Sequence, residues 1–596
     1  MRGVGPSSLS LARATLALLM IVVVGCGQPA PPAATTAPAK PAEAAKPAEP
    51  AKPAEAAKPA EAAKPAADAK PAAPTTAPAA AAKPSDSTAA KPATPVGNKT
   101  IVIGLTHGVK TFDPGRLYEI YPGMVGYAMY EPLMQFDGED TTKPQALLAT
   151  EWKASPDGKT YTFTIRDGVK FTSGNPLTSA DFKFAFDRIK NLKGQPSFLA
   201  NKIASVQAPD PKTLVVTLSE VDPAFLGMMG RVQFAVYDSK LAKEQGAVSE
   251  PGADQSDKAE AWFLNNSAGT GPFLMKEYVP KDRIVLERNP NYWGTPAKVD
   301  RVILLNMEDP AAQKLTLEKG DIDIALDLTA DQTKALDLSK GVKLYTTRSL
   351  NQIFAFFNND PAVGGPISNV DVQRAIRYAI DYDGLVELVG GGAIKLPSII
   401  QLGFLGALGP DAQFKTDIDK AKELMAKAGF ANGFKIDHET AATAKSGGVA
   451  HLLLAQKLQT DLAKIGITTN IVVQDDATSL DRYRTVKTPL GARGWGPDYP
   501  DAINQFAFCP GSQVGLRVAW KAESAPDIAA MCKQASVELD EGKRAAMIKE
   551  IQLAIMDRGP YANLIQPGVQ IGHRTNVEGV LYNPVYQQHL GKLDKK

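Results

Sequence analysis

The sequence predicts an α/β protein whose folded body holds two or three domains and more than one β-sheet. Two observations support this prediction. About 500 residues follow a biased N-terminal region, and one hydrophobic core rarely serves a chain of that length. Strand and helix signals alternate along this body, which is typical of helices packed on β-sheets.

Apolar residues alternate or run together where strands are expected. Tyr161, Phe163 and Ile165 alternate before the turn Arg166-Asp167-Gly168, and residues 169–172 return, which predicts a β-hairpin. Further strands are predicted at 214–218, 284–286, 299–305, 467–473 and 564–571. The helical period predicts helices at 311–318, 372–388, 421–428, 450–464 and 544–556.

The first 25 residues predict a secretory signal peptide. Arg2 and Arg13 bound a short positive region, and the mainly apolar residues 14–24 are too few to span a membrane. The string Val23-Val24-Gly25-Cys26 then resembles the bacterial lipobox, whose cysteine is acylated. We therefore expect lipidation at Cys26 and an extracytoplasmic, lipid-anchored protein, in the periplasm or on the outer face of the cell membrane. The alternative is a cysteine that lies near the cleavage site by chance.

Residues 26–98 predict a disordered tether. Their composition is mostly Ala, Pro, Lys and Glu, and lysines at 40, 46, 52, 58, 64 and 70 are each followed by proline. Regular prolines break helices, and side chains larger than alanine are too few to form a core. We expect a spacer between membrane and body; contact with cell-wall polymers or anionic lipid is the alternative.

Charge and cysteine content restrict the partners of the body. Without the signal peptide and the tether, 56 basic and 58 acidic residues remain, and a near-neutral body argues against a nucleic-acid partner. Once Cys26 is acylated, Cys509 and Cys532 are left, and in an oxidising compartment they could form one disulfide. Two free buried thiols are the alternative.

The usual motifs of catalysis are absent from the sequence. It contains no phosphate-binding P-loop, no Gly-x-Ser-x-Gly elbow and no His-Glu-x-x-His helix. The five histidines show no metal-ligand spacing: His107, His438, His451, His573 and His589. Together with secretion, this favours binding over catalysis, so we expect no enzyme activity, no cofactor and no metal site.

A series of motifs then follows in a fixed order along residues 100–596. They are Phe112-Asp113-Pro114, Tyr130-Glu131-Pro132-Leu133, Leu148 to Trp152, Leu177 to Phe182, Gly269-Thr270-Gly271-Pro272-Phe273, Leu286 to Trp293, Gly320 to Asp323, Phe357-Asn358-Asn359, residues 371–383, residues 424–429 and Trp495 to Asp501. In this order they resemble extracellular solute-binding family 5, the peptide and nickel binders of ABC importers.

The resemblance implies a two-lobed periplasmic-binding-protein fold of type II, in the large three-domain variety, with a hinge between the lobes. By analogy, lobe I comprises 99–138, 268–350 and 561–596, the extra domain 139–267, and lobe II 351–560. The implied function is to capture a small solute, a di- or oligopeptide, and to deliver it to a membrane permease and its ATPases. We expect the protein to act as a monomer.

The segment from Gly494 to Tyr499 is the main candidate for ligand contact. Trp495 offers an apolar wall, the glycine at 494 lets backbone approach a ligand, and Asp498 supplies a carboxylate beside Tyr499. The resemblance implies that Asp498 receives the α-ammonium group of a peptide; a cap of a local turn is the alternative. Tyr118 and Ile120 resemble the N-terminal segment that contacts peptide backbone. The sequence places no arginine for a ligand carboxylate.

Other ligands and other functions remain possible on the same fold. The solute could be a glycan, an opine or a nickel chelate, and the body could serve as an extracytoplasmic receptor or an enzyme. A nickel chelate is disfavoured because no histidine lies near Trp495 in the sequence. Fold resemblance does not fix the ligand.

Overall fold

Three large β-sheets organise the residues that this computed structural model describes, 99–596. The predicted signal peptide, Cys26 and the tether lie outside the described residues. Each large sheet is built from strands of one predicted domain, with one exception that moves a domain boundary. None of the helices in residues 99–596 is long and apolar enough to cross a membrane.

The sheet of lobe I has seven strands, and its strand Thr100–Leu105 runs parallel to both neighbours. Ile101, Ile103 and Leu105 are buried in the largest core, because alternate side chains of a strand face the same side. Val102, on the opposite face, packs against a smaller core. The strands lie in the order Val342–Arg348, Gly568–Arg574, Ile324–Ala325, Thr100–Leu105, Arg301–Asn306, Arg283–Arg288 and Phe273–Val279.

The sheet of the extra domain has four antiparallel strands. The predicted strand at 161–165 is confirmed as Thr160–Ile165, but the predicted hairpin with residues 169–172 is wrong. Both edges of this strand pair with other strands, so no edge is left for the returning segment. The strands lie in the order Ala149–Ala154, Thr160–Ile165, Thr213–Leu218 and Ile203–Asp210.

The sheet of lobe II also has four strands and lies between two cores. All six residues of Gln352–Phe357 are buried. Ile353 and Phe357 face one core and Phe354 the other, which explains why this strand is a continuous apolar run rather than an alternating one. The strands lie in the order Ile394–Lys395, Tyr561–Gln566, Gln352–Phe357 and Leu490–Trp495.

The position of Tyr561–Gln566 corrects the predicted boundary of lobe II at residue 560. This strand pairs with Gln352–Phe357, so it belongs to the sheet of lobe II, and the chain returns to lobe I only at Pro567. The single strand predicted at 564–571 is therefore two strands, because proline has no backbone donor for a ladder. The chain passes between the sheets of the two lobes twice, near Ser349 and near Pro567. Ser349 Oγ donates to the carbonyl oxygen of Pro567 at 2.7 Å, so a hydrogen bond links these two connections.

The helices follow the predicted periodicity with one difference. The helix predicted at 372–388 is two helices: the first ends at Ala379, and Asp381 caps the second by accepting a hydrogen bond from the backbone N–H of Gly384 at 2.9 Å. The helices of eight or more described residues are Ile120–Met129, Ser179–Leu192, Pro310–Lys319, Val370–Ala379, Tyr382–Val389, Ile418–Lys427, His451–Ala463, Asp476–Arg484, Pro526–Ala535 and Glu541–Arg558.

A buried ion cluster links the segment predicted as the extra domain to the segment predicted as lobe I. Arg188, on the helix Ser179–Leu192, donates to Asp113 of lobe I and to Asp257 of the extra domain, and all three side chains are fully buried. The bonds from Arg188 Nη1 to Asp113 Oδ1 and from Nε to Asp257 Oδ2 measure 2.6 and 2.8 Å. The Phe112-Asp113-Pro114 motif therefore supplies a carboxylate to this buried cluster.

Cys509 and Cys532 are joined in the structure, with Cα atoms 6.6 Å apart, and both lie in one core of lobe II. Because the bond closes a loop of 23 residues, we expect reduction to lower the free energy of unfolding by about 3 kcal/mol. Urea unfolding with and without reductant measures this difference. A double variant, Cys509→Ala with Cys532→Ala, is the control and should be insensitive to reductant. Equal stabilities of the oxidised and reduced wild type would contradict the prediction.

Candidate ligand-binding cleft

Two adjoining cavities, of about 550 and 320 Å³, lie between lobe I and lobe II. Ile120, Tyr582 and Gln587 of lobe I line both cavities, as does Asn351 near the crossing into lobe II. The two cavities therefore form one cleft with a larger and a smaller part. Volumes in this range suit small-molecule ligands.

Asp498 lies on the lobe II wall of the smaller cavity. It follows the strand Leu490–Trp495, and its backbone N–H donates to Asn504 Oδ1 at 3.1 Å, which fixes its position. Its carboxylate accepts a hydrogen bond from the Tyr118 hydroxyl of lobe I, across the cleft. The adjacent short helix Ala502–Phe508 is capped by Asp501 rather than by Asp498. This arrangement leaves the carboxylate of Asp498 facing the cavity.

Tyr118 is a neutral hydrogen-bond donor in this cavity. Burial is the main cause that raises the pKa of its hydroxyl, and the hydrogen bond to Asp498 and the negative charge of that residue raise it further. The positive charge of Arg231 acts in the opposite direction. Because the pKa of Tyr118 lies above its usual range, its proton stays available to Asp498 at neutral pH.

The larger cavity has a second tyrosine–carboxylate pair. Tyr121 Oη donates to Asp327 Oδ1 at 2.5 Å, and the backbone N–H of Thr106 donates to the other carboxylate oxygen at 2.5 Å. On the lobe II side, Gly447 and Gly448 form the tip of a two-residue hairpin with positive φ angles of 56 and 81°. The lobe I wall of this cavity is thus polar, and the lobe II wall includes the backbone of two glycines, which have no side chains.

The predicted ligand-binding residues divide into two groups. The structure brings Asp498, Tyr118 and Ile120 together on the smaller cavity, and Ile120 is 63% exposed at its junction with the larger one. Trp495, Gly494 and Tyr499 do not line either cavity. Ligand contact stays a prediction for all six residues.

The three residues outside the cavities pack against protein. The ring of Trp495 meets Phe508 edge-on at 5.6 Å in a core of lobe II, and Tyr499 packs against the largest core. A Cβ atom on Gly494 would lie 2.4 Å from Ser446 Oγ, so this glycine permits close packing within lobe II. Trp495 and Gly494 face opposite sides of one strand, which prevents both from lining one wall.

Sequence reasoning missed Arg231, Gln233 and Asn351, which line the smaller cavity. None of the three lies in a family motif that the sequence revealed, and Arg231 belongs to the extra domain, far in the chain from the Trp495–Asp501 segment. Only their positions in the folded structure show that they line the cavity. The histidines add no ligand set: among residues 99–596, no group of three or more His, Cys, Asp or Glu side chains could hold a metal ion.

Two α/β lobes with a solute-sized cleft between them define the class of periplasmic solute-binding proteins. Residues 143–514 match the bacterial extracellular solute-binding proteins, family 5 (middle region), and the chain belongs to this family. It is therefore the extracytoplasmic substrate-binding component of an ABC transporter and is not an enzyme.

Curated relatives span nearly the whole body. A probable D,D-dipeptide-binding periplasmic protein of Escherichia coli is 27% identical over 502 residues, which are 82% of this chain and 92% of the relative. A dipeptide-binding protein of the same organism is 26% identical over 78% of this chain and 88% of its own length. Heme-binding protein A of Haemophilus influenzae is also 26% identical, over 80% of this chain and 88% of its own. Relatives of similar identity thus carry different ligand names.

Solved structures show the same fold. A periplasmic binding protein of Helicobacter pylori with the peptide STSA matches with a TM-score of 0.67 and 23% identity, covering 84% of this chain and 98% of that chain. A binding protein from an Agrobacterium strain with agropinic acid matches with a TM-score of 0.66 and 22% identity, covering 83% and 99%. The predicted two-lobed α/β fold is confirmed by these matches.

Proposed function

We propose that this protein captures a short peptide by its free α-amino group and delivers it to an ABC permease. The observation that carries the proposal is the carboxylate of Asp498, which lies in the interlobe cleft. No Lys, Arg or His side chain lies within 4.0 Å of it among residues 99–596. Its hydrogen bond from Tyr118 comes from a neutral group and supplies no ion-pair partner.

A peptide ammonium group supplies the missing charge. Hinge closure removes water from the cleft, and the attraction between opposite charges rises as the effective dielectric constant falls. A carboxylate has two oxygen atoms and about four acceptor sites, so Asp498 can accept from Tyr118 and from an ammonium group together. The dipeptide names of two relatives agree with this proposal, whereas the heme and agropinic acid names mark the alternatives.

The proposal is tested by calorimetry on the wild-type protein with Ala-Ala, Ala-Phe and Ala-Lys, each with a free and an N-acetylated amino group. We expect the free dipeptides to bind and acetylation to weaken them strongly. Heme, agropinic acid and a neutral disaccharide serve as competitors. If one of these binds and no dipeptide does, or if free and acetylated dipeptides bind alike, the peptide assignment is wrong.

We also infer that Cys26 anchors the body to a membrane through the tether of residues 26–98, on the strength of the lipobox string. A single acyl chain binds membranes only weakly, so stable anchoring requires more than one chain. Metabolic labelling with a fatty acid should mark the wild type and fail to mark Cys26→Ala. Equal label in both proteins would exclude this residue.

A further inference from the structure

We propose that Asp327 selects peptides with a basic side chain, a lysine or an arginine, so that the transported solute carries two positive groups. This inference rests on the proposed function, in which Asp498 receives the α-ammonium group in the smaller cavity. It adds the class of side chain that the larger cavity accepts and the residue that determines this selectivity.

Asp327 is held at the larger cavity in the same way as Asp498 is held at the smaller one. The backbone N–H of Asp327 donates to Gln313 Oε1 at 3.1 Å, and that of Asp498 also donates to a side-chain amide oxygen at 3.1 Å. Each carboxylate accepts a hydrogen bond from a tyrosine hydroxyl, which Tyr121 supplies to Asp327. The cleft therefore contains two fixed carboxylates of the same kind, one in each cavity.

The hydrogen bonds to the Asp327 carboxylate come from neutral groups, the Tyr121 hydroxyl and the backbone N–H of Thr106. Burial is the main cause that raises the pKa of Tyr121, and the charge of Asp327 and the hydrogen bond to it raise that pKa further, so the hydroxyl keeps its proton. No Lys, Arg or His side chain lies within 4.0 Å of the Asp327 carboxylate among residues 99–596. A carboxylate has about four acceptor sites, so Asp327 can accept from both neutral groups and from a cation together.

The charged side chains around the larger cavity favour a cation. Three of them line it: Asp327 and Glu308 from lobe I, and Lys445 from lobe II. Glu308 and Lys445 are exposed, and within residues 99–596 neither has an oppositely charged side chain within 4.0 Å. Asp327 is half-buried, so solvent screens its charge less than it screens the other two. Two negative charges against one positive charge attract a basic side chain and repel an acidic one.

The larger cavity also suits the aliphatic part of a basic side chain. Leu326 and Leu328, on either side of Asp327, line this cavity, as does Val389 from lobe II. Lysine and arginine carry three or four methylene groups that pack on apolar surface while the charged end meets a polar partner. Apolar residues around one carboxylate therefore match these two side chains better than they match a small inorganic cation.

One short peptide can reach both aspartates. Tyr118 and Tyr121, which donate to them, are three residues apart in the chain, so their Cα atoms lie at most about 11 Å from each other. Ile120, between these tyrosines, lines both cavities. An extended dipeptide is about 7 Å long, and a lysine side chain adds to that reach. The α-ammonium group and a basic side chain can therefore occupy the two cavities at once.

The test measures by calorimetry the affinity of the wild type for Ala-Lys, Ala-norleucine and Ala-Glu, and for the three dipeptides of reversed order. Norleucine has the four-carbon side chain of lysine without its amino group, so the ratio of the lysine and norleucine affinities isolates the charge. We expect this ratio to be about 10 for at least one of the two orders, and the glutamate dipeptides to bind most weakly.

Two variants should move this ratio in opposite directions. In Asp327→Asn, the ratio should fall to about 1, because the side chain keeps its size and loses its charge. In Lys445→Gln, at an exposed position, the ratio should rise about 2- to 5-fold, because a competing positive charge is removed. General damage to the fold weakens both dipeptides and leaves their ratio unchanged. An unchanged ratio in both variants would overturn the proposal.

Glu139→Gln is the matched control, because Glu139 also accepts from a tyrosine hydroxyl, that of Tyr345, and lines neither cavity. It should retain the ratio of the wild type, and a fall as large as that in Asp327→Asn would contradict the proposal. If lysine and norleucine dipeptides bind the wild type alike in both orders, Asp327 is wrongly assigned and the proposed function stands. If no dipeptide binds at all, the proposed function fails with it.

Discussion

Asp498→Asn is expected to weaken binding of a dipeptide with a free amino group about 30-fold to several-thousand-fold, equivalent to about 2–5 kcal/mol. Asparagine keeps the size of the side chain and an oxygen that can accept from Tyr118, so the change removes charge rather than shape. The peptide ammonium group is then buried opposite a neutral amide when the lobes close. Calorimetry on the purified variant measures the change in affinity.

The role of Asp498 can be separated from general damage by a double-mutant cycle. N-acetylation of the dipeptide removes the other partner of the same interaction, so the variant and the acetylation together should cost less than the sum of the two. Asp167→Asn is the control, since Asp167 is an exposed residue that pairs with Lys212 in the extra domain. Additive losses in the cycle would show that Asp498 does not bind the ammonium group.

Arg188→Met is expected to have the largest effect on stability, a loss of about 3–5 kcal/mol in the free energy of unfolding. Methionine fills the space of the arginine stem but removes the closest cationic partner of two fully buried carboxylates, Asp113 and Asp257. Only the longer ion pairs to the partly exposed Arg116, at 3.6 and 3.3 Å, remain. Chemical unfolding of both proteins measures the loss. Arg283→Met is the control because it breaks exposed pairs, which are worth about 0–1 kcal/mol. Similar losses in the two variants would contradict the importance of the buried cluster.

The same cluster predicts a dependence on pH. Burial raises the pKa of Asp257, but the hydrogen bonds and charge of Arg188, with further hydrogen bonds from the Val248 backbone and Arg116, outweigh it, so the pKa of Asp257 in the folded protein is lowered. A lowered pKa in the folded state stabilises the protein above the pKa of the unfolded state, about 3.9, and this stability is lost as the pH falls through the folded value. In Arg188→Met, this acid-induced loss should be smaller.

Local patterns predicted individual elements well and their partners poorly. The alternation of Tyr161, Phe163 and Ile165 identified a strand, because alternate residues of a strand face the same side and this pattern is visible within a few consecutive residues. Its assumed hairpin partner was wrong, since both edges of this strand pair with strands that are not the next segment along the chain. The boundary at residue 560 failed for the same reason: only the pairing with Gln352–Phe357 shows that Tyr561–Gln566 belongs to lobe II.

The sequence by itself determined the α/β class, the family and the segment that carries Asp498, because each is expressed in composition, periodicity or contiguous motifs. Only the tertiary structure decided which groups meet at the cleft. The Tyr118 hydroxyl donates a hydrogen bond to Asp498, which lies 380 residues away in the sequence. Arg231, from the segment predicted as the extra domain, lines the same cavity. Contacts between distant residues depend on how the lobes and the extra domain pack, and this packing cannot be predicted from local sequence patterns.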